Sequence, residues 1–112
     1  METYDIAIIG TGPAGVSAAI TATIRNKKII LFGSRELSDK IRKAHLIQNY
    51  PGFPECSGAE LCDAFAAHLE KIGIEITEEK INAVYPMGET LALQTMKNEM
   101  YQARSVILAS GM

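Results

Sequence analysis

Tyr4-Asp5-Ile6-Ala7-Ile8-Ile9-Gly10-Thr11-Gly12-Pro13-Ala14-Gly15 joins an apolar run to the spacing G-x-G-x-x-G. Ala14, Ala18, Ala19 and Ala22 follow, small residues that suit a helix laid close against a sheet. The order is that of a buried parallel strand turning into a helix whose N-terminus receives a dinucleotide pyrophosphate. Gly10 permits the tight turn, Gly12 leaves room for phosphates, and Gly15 lets the helix approach the strand. Backbone N–H groups and the positive end of the helix dipole then favour an anion. A merely structural strand–helix turn is the alternative, and the well-placed strand and helix weigh against it.

Working outward, a strand is expected over residues 4–9 and a helix over 13–25. Thr11 serves as a plausible cap, and Pro13 sits in the first turn, where its missing N–H costs little. Asn26-Lys27-Lys28 is a polar turn, and Ile29–Phe32 reads as a second, fully apolar strand. Residues 33–50 are polar and mixed, and lead into Asn49-Tyr50-Pro51-Gly52-Phe53-Pro54, whose prolines and glycine force a fixed non-helical loop. An amphipathic helix follows over 59–72, with Leu61, Phe65, Leu69 and Ile72 on one face and Gly73 ending it. A short strand is expected at 74–77. Antiparallel strands follow at 81–84 and Thr90–Thr95, joined by Pro86-Met87-Gly88, with a third at 100–103. Residues 105–109 form a last apolar run, ending at Ser110-Gly111. This succession predicts a three-layer, Rossmann-like α/β domain: a parallel sheet with a small antiparallel β-ribbon at the last crossover.

The 112 residues are 47% hydrophobic and 21% charged, ordinary globular values that give no support to disorder. A net charge of −2 argues against nucleic-acid binding through a basic face. No segment approaches a membrane span, and the N-terminus lacks a signal peptide's layout, so a cytoplasmic location is expected. Cys56 and Cys62 have neither the C-x-x-C spacing of a dithiol centre nor a common zinc spacing. A buried thiol and a loop thiol are the favoured reading. His68, beside the apolar stripe, reads as a partly buried structural histidine. His45 precedes the Asn49 loop and is the weaker of two readings as an acid–base group.

An NAD-binding domain carries an acid about twenty residues beyond the glycine turn, at the end of the second strand, for the ribose hydroxyl. Phe32-Gly33-Ser34 stands there instead, and the nearest acid, Glu36, comes late. Arg35 is either a 2′-phosphate contact or a solvated surface arginine, the latter favoured. The antiparallel ribbon also separates the chain from a plain nicotinamide domain, which has a helix at that crossover.

With these residues in place, the chain resembles the FAD domain of the low-molecular-weight thioredoxin reductase family. Asn49-Tyr50-Pro51-Gly52-Phe53 matches that family's Asn-Tyr-Pro-Gly-Phe loop, and Ala109-Ser110-Gly111 its Ala-Thr-Gly. The resemblance spans essentially the whole chain. It implies FAD as cofactor, with Gly10, Gly12, Pro13, Ala14 and Gly15 around the pyrophosphate and Ser34 near the adenosine ribose. It also implies that Ala83 meets the adenine through its backbone, and that Ala109, Ser110 and Gly111 pass close to the cofactor. Asn49 either reaches the flavin or stabilises its own loop.

The resemblance further implies thioredoxin, or a similar disulfide protein, as substrate. NADPH-dependent members carry a Gly-Gly-Gln-like segment after the second strand, where this chain has Leu37-Ser38-Asp39-Lys40-Ile41. That departure looks like the flavin-linked branch, so the electron donor is NADPH or ferredoxin. Lys40, Arg42 and Lys43 either dock an acidic ferredoxin or are solvated loop charges. Residues 1–112 are expected to be the N-terminal part of the FAD domain, stopping before the domain that carries the redox dithiol. The segment alone is therefore expected not to reduce thioredoxin. It is also expected to self-associate through an open sheet edge. A non-catalytic flavin or electron-transfer module and a structural remnant are the alternatives.

Overall fold

The computed structural model describes residues 2–111. Its elements run β1 (Thr3–Ile9), α1 (Pro13–Ile24), β2 (Ile29–Phe32), α2 (Asp39–Arg42), α3 (Gly58–Lys71), β3 (Ile76–Thr77), β4 (Ile81–Met87), β5 (Thr90–Thr95) and β6 (Met100–Leu108). One six-stranded sheet holds them in the order β3-β2-β1-β6-β5-β4. The β3-β2-β1-β6 part is parallel, and β6-β5-β4 is antiparallel.

Alternation along the strands builds two cores. Ile8 and Leu31 face the helices, where Val16 and Ala19 of α1 and Cys62 and Leu69 of α3 cover them. Ala7, Ile30 and Phe32 face the other way, against Leu93 of β5 and Ala103 and Tyr101 of β6. Phe32 and Tyr101 meet edge to face, their ring centroids 5.1 Å apart. The antiparallel part thus covers the face the helices leave, which gives the three expected layers.

Two strands differ from the sequence reading. The strands expected at 100–103 and 105–109 are a single strand, β6. Its first half pairs with β5 and its length with β1 in parallel. Arg104 and Ser105 interrupt the apolar pattern because they sit where the strand loses β5 as a neighbour. There Ser105 Oγ donates to the Asp5 carbonyl at 3.0 Å, and Arg104 lies 3.7 Å from the Asp5 carboxylate. Beyond Ala103 the outer edge of β6 has no paired strand among the described residues, and Leu108 is 74% exposed. Similarly, β4 runs through Pro86, which an edge strand tolerates, and the turn narrows to Gly88-Glu89.

Between residues 33 and 50 the chain forms the one-turn helix α2, which the mixed pattern hid. Ser38 Oγ caps it by accepting the Ile41 N–H at 3.2 Å. His68 is exposed rather than partly buried, at the open groove between α1 and α3. Cys56 and Cys62 are both buried free thiols. No helix among the described residues is long and apolar enough to cross a membrane.

Candidate functional site

Three backbone hydrogen bonds continue the parallel ladder past the carboxyl ends of its strands. The Ala109 N–H donates to Ile9, Gly10 to Phe32 and Gly33 to Thr77, at 2.7, 2.9 and 3.1 Å. Above this floor lies an open cleft of about 690 Å³, within the rough 300–1,000 Å³ range of small-molecule sites. Gly10, Thr11, Gly12, Pro13 and Ala14 line it at the start of α1, and Ala109, Ser110 and Gly111 at the end of β6. Leu37, Ser38, Asp39, Lys40 and Ile41 form one wall, and Glu79, Lys80 and Ile81 close the far end.

The glycines divide by what crowds them. A Cβ on Gly10 would overlap the Ala109 carbonyl, and one on Gly15 the Gly10 carbonyl. Both are therefore required by the fold. A Cβ on Gly12 would meet no protein atom, and its φ of −76° suits any residue. Its missing side chain opens the cleft instead. Directly beneath, α1 has no side-chain cap and no acid in its first turn, so its free N–H groups and positive end face the cleft uncompensated. This is a cradle for a pyrophosphate, and the residues present fit a dinucleotide such as FAD.

Thr11 is not the helix cap, a place held by Gly12. Its buried Oγ1 donates to the Leu37 carbonyl at 2.7 Å and accepts the Ser34 N–H at 3.1 Å. One hydroxyl thereby ties the cleft wall to the glycine turn. Leu37 is buried and held at φ 68°, a conformation that side chains with a Cβ adopt at some cost.

Among the remaining expected site residues, Gly15 packs beneath the turn rather than lining the cleft. Ser34 is exposed beside the wall, its Oγ accepting the Glu36 N–H at 3.1 Å. Asn49 is exposed on a loop clasped by paired hydrogen bonds between Ile47 and Cys56, with Tyr50 meeting Phe65 edge to face. Ala83 lies on β4, two residues past the cleft end at Ile81. Ser34, Asn49 and Ala83 do not line the cleft. Arg42 pairs with Glu36 and Asp63, and Lys43 with Asp39, whereas Lys40 lines the cleft and makes no ion pair among the described residues. The sequence pattern marks Thr11 only as a helix cap and does not mark Glu79 or Lys80. The departure at residues 37–40 was the one sequence signal for the wall.

The family model for pyridine nucleotide-disulphide oxidoreductases matches residues 4–112. The chain belongs to that family. A ferredoxin-flavin thioredoxin reductase from Clostridium acetobutylicum superposes with a TM-score of 0.97 at 56% identity, covering 100% of this chain and 39% of that one. The Lactococcus lactis thioredoxin reductase superposes at 0.88 with 30% identity, over 96% of this chain and 35% of its own. The thioredoxin reductase of Peptoclostridium litorale is 36% identical over 109 residues, 96% of this chain and 34% of that protein. Within the pyridine nucleotide-disulphide oxidoreductases, the chain corresponds to the N-terminal FAD-binding domain of thioredoxin reductases. It spans about a third of the length of these relatives.

Proposed function

We propose that the cleft binds FAD and that the chain serves as the FAD-binding segment of a thioredoxin-reductase-like oxidoreductase. The observation that carries this reading is the uncapped start of α1 beneath Gly12, whose absent side chain serves no packing need. Gly12, Pro13 and Ala14 would hold the pyrophosphate, with Ala109, Ser110 and Gly111 along the cofactor's flavin side. When bound, FAD supplies two-electron redox chemistry, while the protein binds, orients and shields it. The segment's only cysteines, Cys56 and Cys62, are buried, so a thioredoxin disulfide would be reduced by a cysteine pair outside it. Ferredoxin is favoured over NADPH as donor by residues 37–40 and by the 56% identity to a ferredoxin-flavin enzyme.

The test is a fluorescence titration of the purified chain with FAD, followed by visible spectra after desalting. Saturable one-to-one binding, competed by ADP, is the expected result. A folded protein that binds neither FAD nor ADP overturns the reading.

A further inference from the structure

At the end of β2, where an acid would read the adenosine ribose, no carboxylate faces the cleft. Glu36 is turned to Arg42, 3.5 Å away, and Ser34 and Arg35 do not line the cavity. The neighbouring strand end supplies what β2 lacks. Thr77 pairs with Phe32 in the sheet register, and its carbonyl accepts two N–H groups, from Gly33 at 3.1 Å and from Glu79 at 2.9 Å. That shared acceptor fixes the Glu79 backbone beside Gly33, the first residue after β2. Glu78, one residue earlier, is occupied by Arg35, through the backbone N–H at 3.0 Å and Nε at 3.5 Å. Glu79 is half-buried, lines the cleft and makes no ion pair among the described residues. The other cleft carboxylate, Asp39, lies on the wall formed by residues 37–41 and pairs with Lys43 at 3.1 Å. Glu79 has one side-chain neighbour of note, Tyr101. The Tyr101 hydroxyl pKa is raised first by burial, then by the Glu79 and Glu99 carboxylates, and last by a hydrogen bond to Glu79, which leaves the rest of that carboxylate's acceptor capacity free.

We infer that Glu79 is the specificity residue for the adenosine ribose, its carboxylate accepting hydrogen bonds from the ribose hydroxyls in place of an acid at the end of β2. This inference rests on the FAD-site reading. A dinucleotide whose pyrophosphate lies at α1 extends its adenosine half over β2, and β3 is the next strand on that side. A carboxylate bound to a vicinal diol makes charge-assisted hydrogen bonds that an amide cannot match.

The test compares ADP with 2′,3′-dideoxy-ADP on the full chain, by competition against FAD. The wild type is expected to bind ADP about tenfold more tightly than the dideoxy analogue. In Glu79→Gln the difference should close to about twofold while the analogue's own affinity stays unchanged. Glu78→Gln, altering the neighbouring carboxylate, should keep the full difference and controls for disturbance of the 77–80 turn. A wild type that binds FAD but does not distinguish the two nucleotides overturns the role of Glu79 and leaves the FAD site standing. So does a difference that persists in Glu79→Gln. A wild type that binds none of the three ligands overturns both.

Discussion

Helices α1 and α3 each begin with backbone N–H groups that no turn of helix can satisfy, and they resolve this in opposite ways. At α3, Ser57 Oγ accepts the Glu60 N–H at 3.1 Å and Glu60 Oε1 accepts the Ser57 N–H at 2.8 Å, a complete capping box. At α1, Gly12 holds the same position with no side chain, no hydroxyl and no acid in the helix's first turn. The α3 end is finished by its own sequence. The α1 end leaves its N–H groups open to the cleft. On the proposed reading, local stability is given up at the end that binds FAD and kept at the end that does not, within helices that share one core.

The sharpest way to break that comparison is to change the two glycines at the α1 end separately. Gly15→Ala places a Cβ on the Gly10 carbonyl, which is backbone and cannot move aside. Forcing α1 off the sheet is expected to cost about 3 kcal/mol, enough to unfold much of a marginal domain. Gly12→Asp meets no protein atom and supplies the missing cap. Stability should rise by about 0.5 kcal/mol in urea denaturation, while FAD affinity falls on the order of 100-fold through charge repulsion at the pyrophosphate. A Gly12→Asp protein that is destabilised, or that binds FAD normally, would show that the open cap serves the fold rather than a ligand.

The glycine turn, the flanking strands and both long helices were legible because each is a local pattern with one physical solution. Strand β2 was placed at Ile29–Phe32, where it stands. The cleft's walls were harder to read. Thr11 looked like a cap because a threonine before a helix usually is one. Its actual partners, Ser34 and Leu37, lie more than twenty residues away, and no local pattern reports them. Glu79 sits in a polar turn indistinguishable by composition from any other. Strand β6 was split in two because a change of pairing partner at Arg104-Ser105 imitates a loop. Most of what escaped the sequence was set by long-range pairing; the exception is α2, a single turn too short to show a period, though its Ser38 cap is local.

A second break follows from Thr11. Thr11→Val keeps the shape but leaves the Leu37 carbonyl and the Ser34 N–H without their buried partner. The expected loss is about 2 kcal/mol in chemical denaturation, with faster proteolysis between residues 34 and 41. FAD affinity should fall only several-fold, since the wall loosens while the α1 cradle stays intact. Equal losses of stability and binding would instead place the wall at the centre of the site.

The smallest effect belongs to the finished end of α3. Ser57→Ala is expected to cost about 1 kcal/mol and to leave FAD binding unchanged, since Ser57 lies outside the cleft. The box also titrates. The Glu60 carboxyl is held below its ordinary value, first by the Ser57 backbone N–H and then by the Ser57 hydroxyl. A depressed folded-state pKa means its contribution is fully present above the ordinary carboxylate range and is lost as pH falls through the lowered value. Denaturation midpoints measured from neutral to acid pH should therefore show wild type and Glu60→Gln converging as the pH drops, with wild type ahead only at the neutral end. The α1 end has no titrating cap, so Glu60→Gln should leave the pH profile of FAD binding untouched. If that profile moved with Glu60, the two helix ends would be coupled, and the division between a finished and an open terminus would fail.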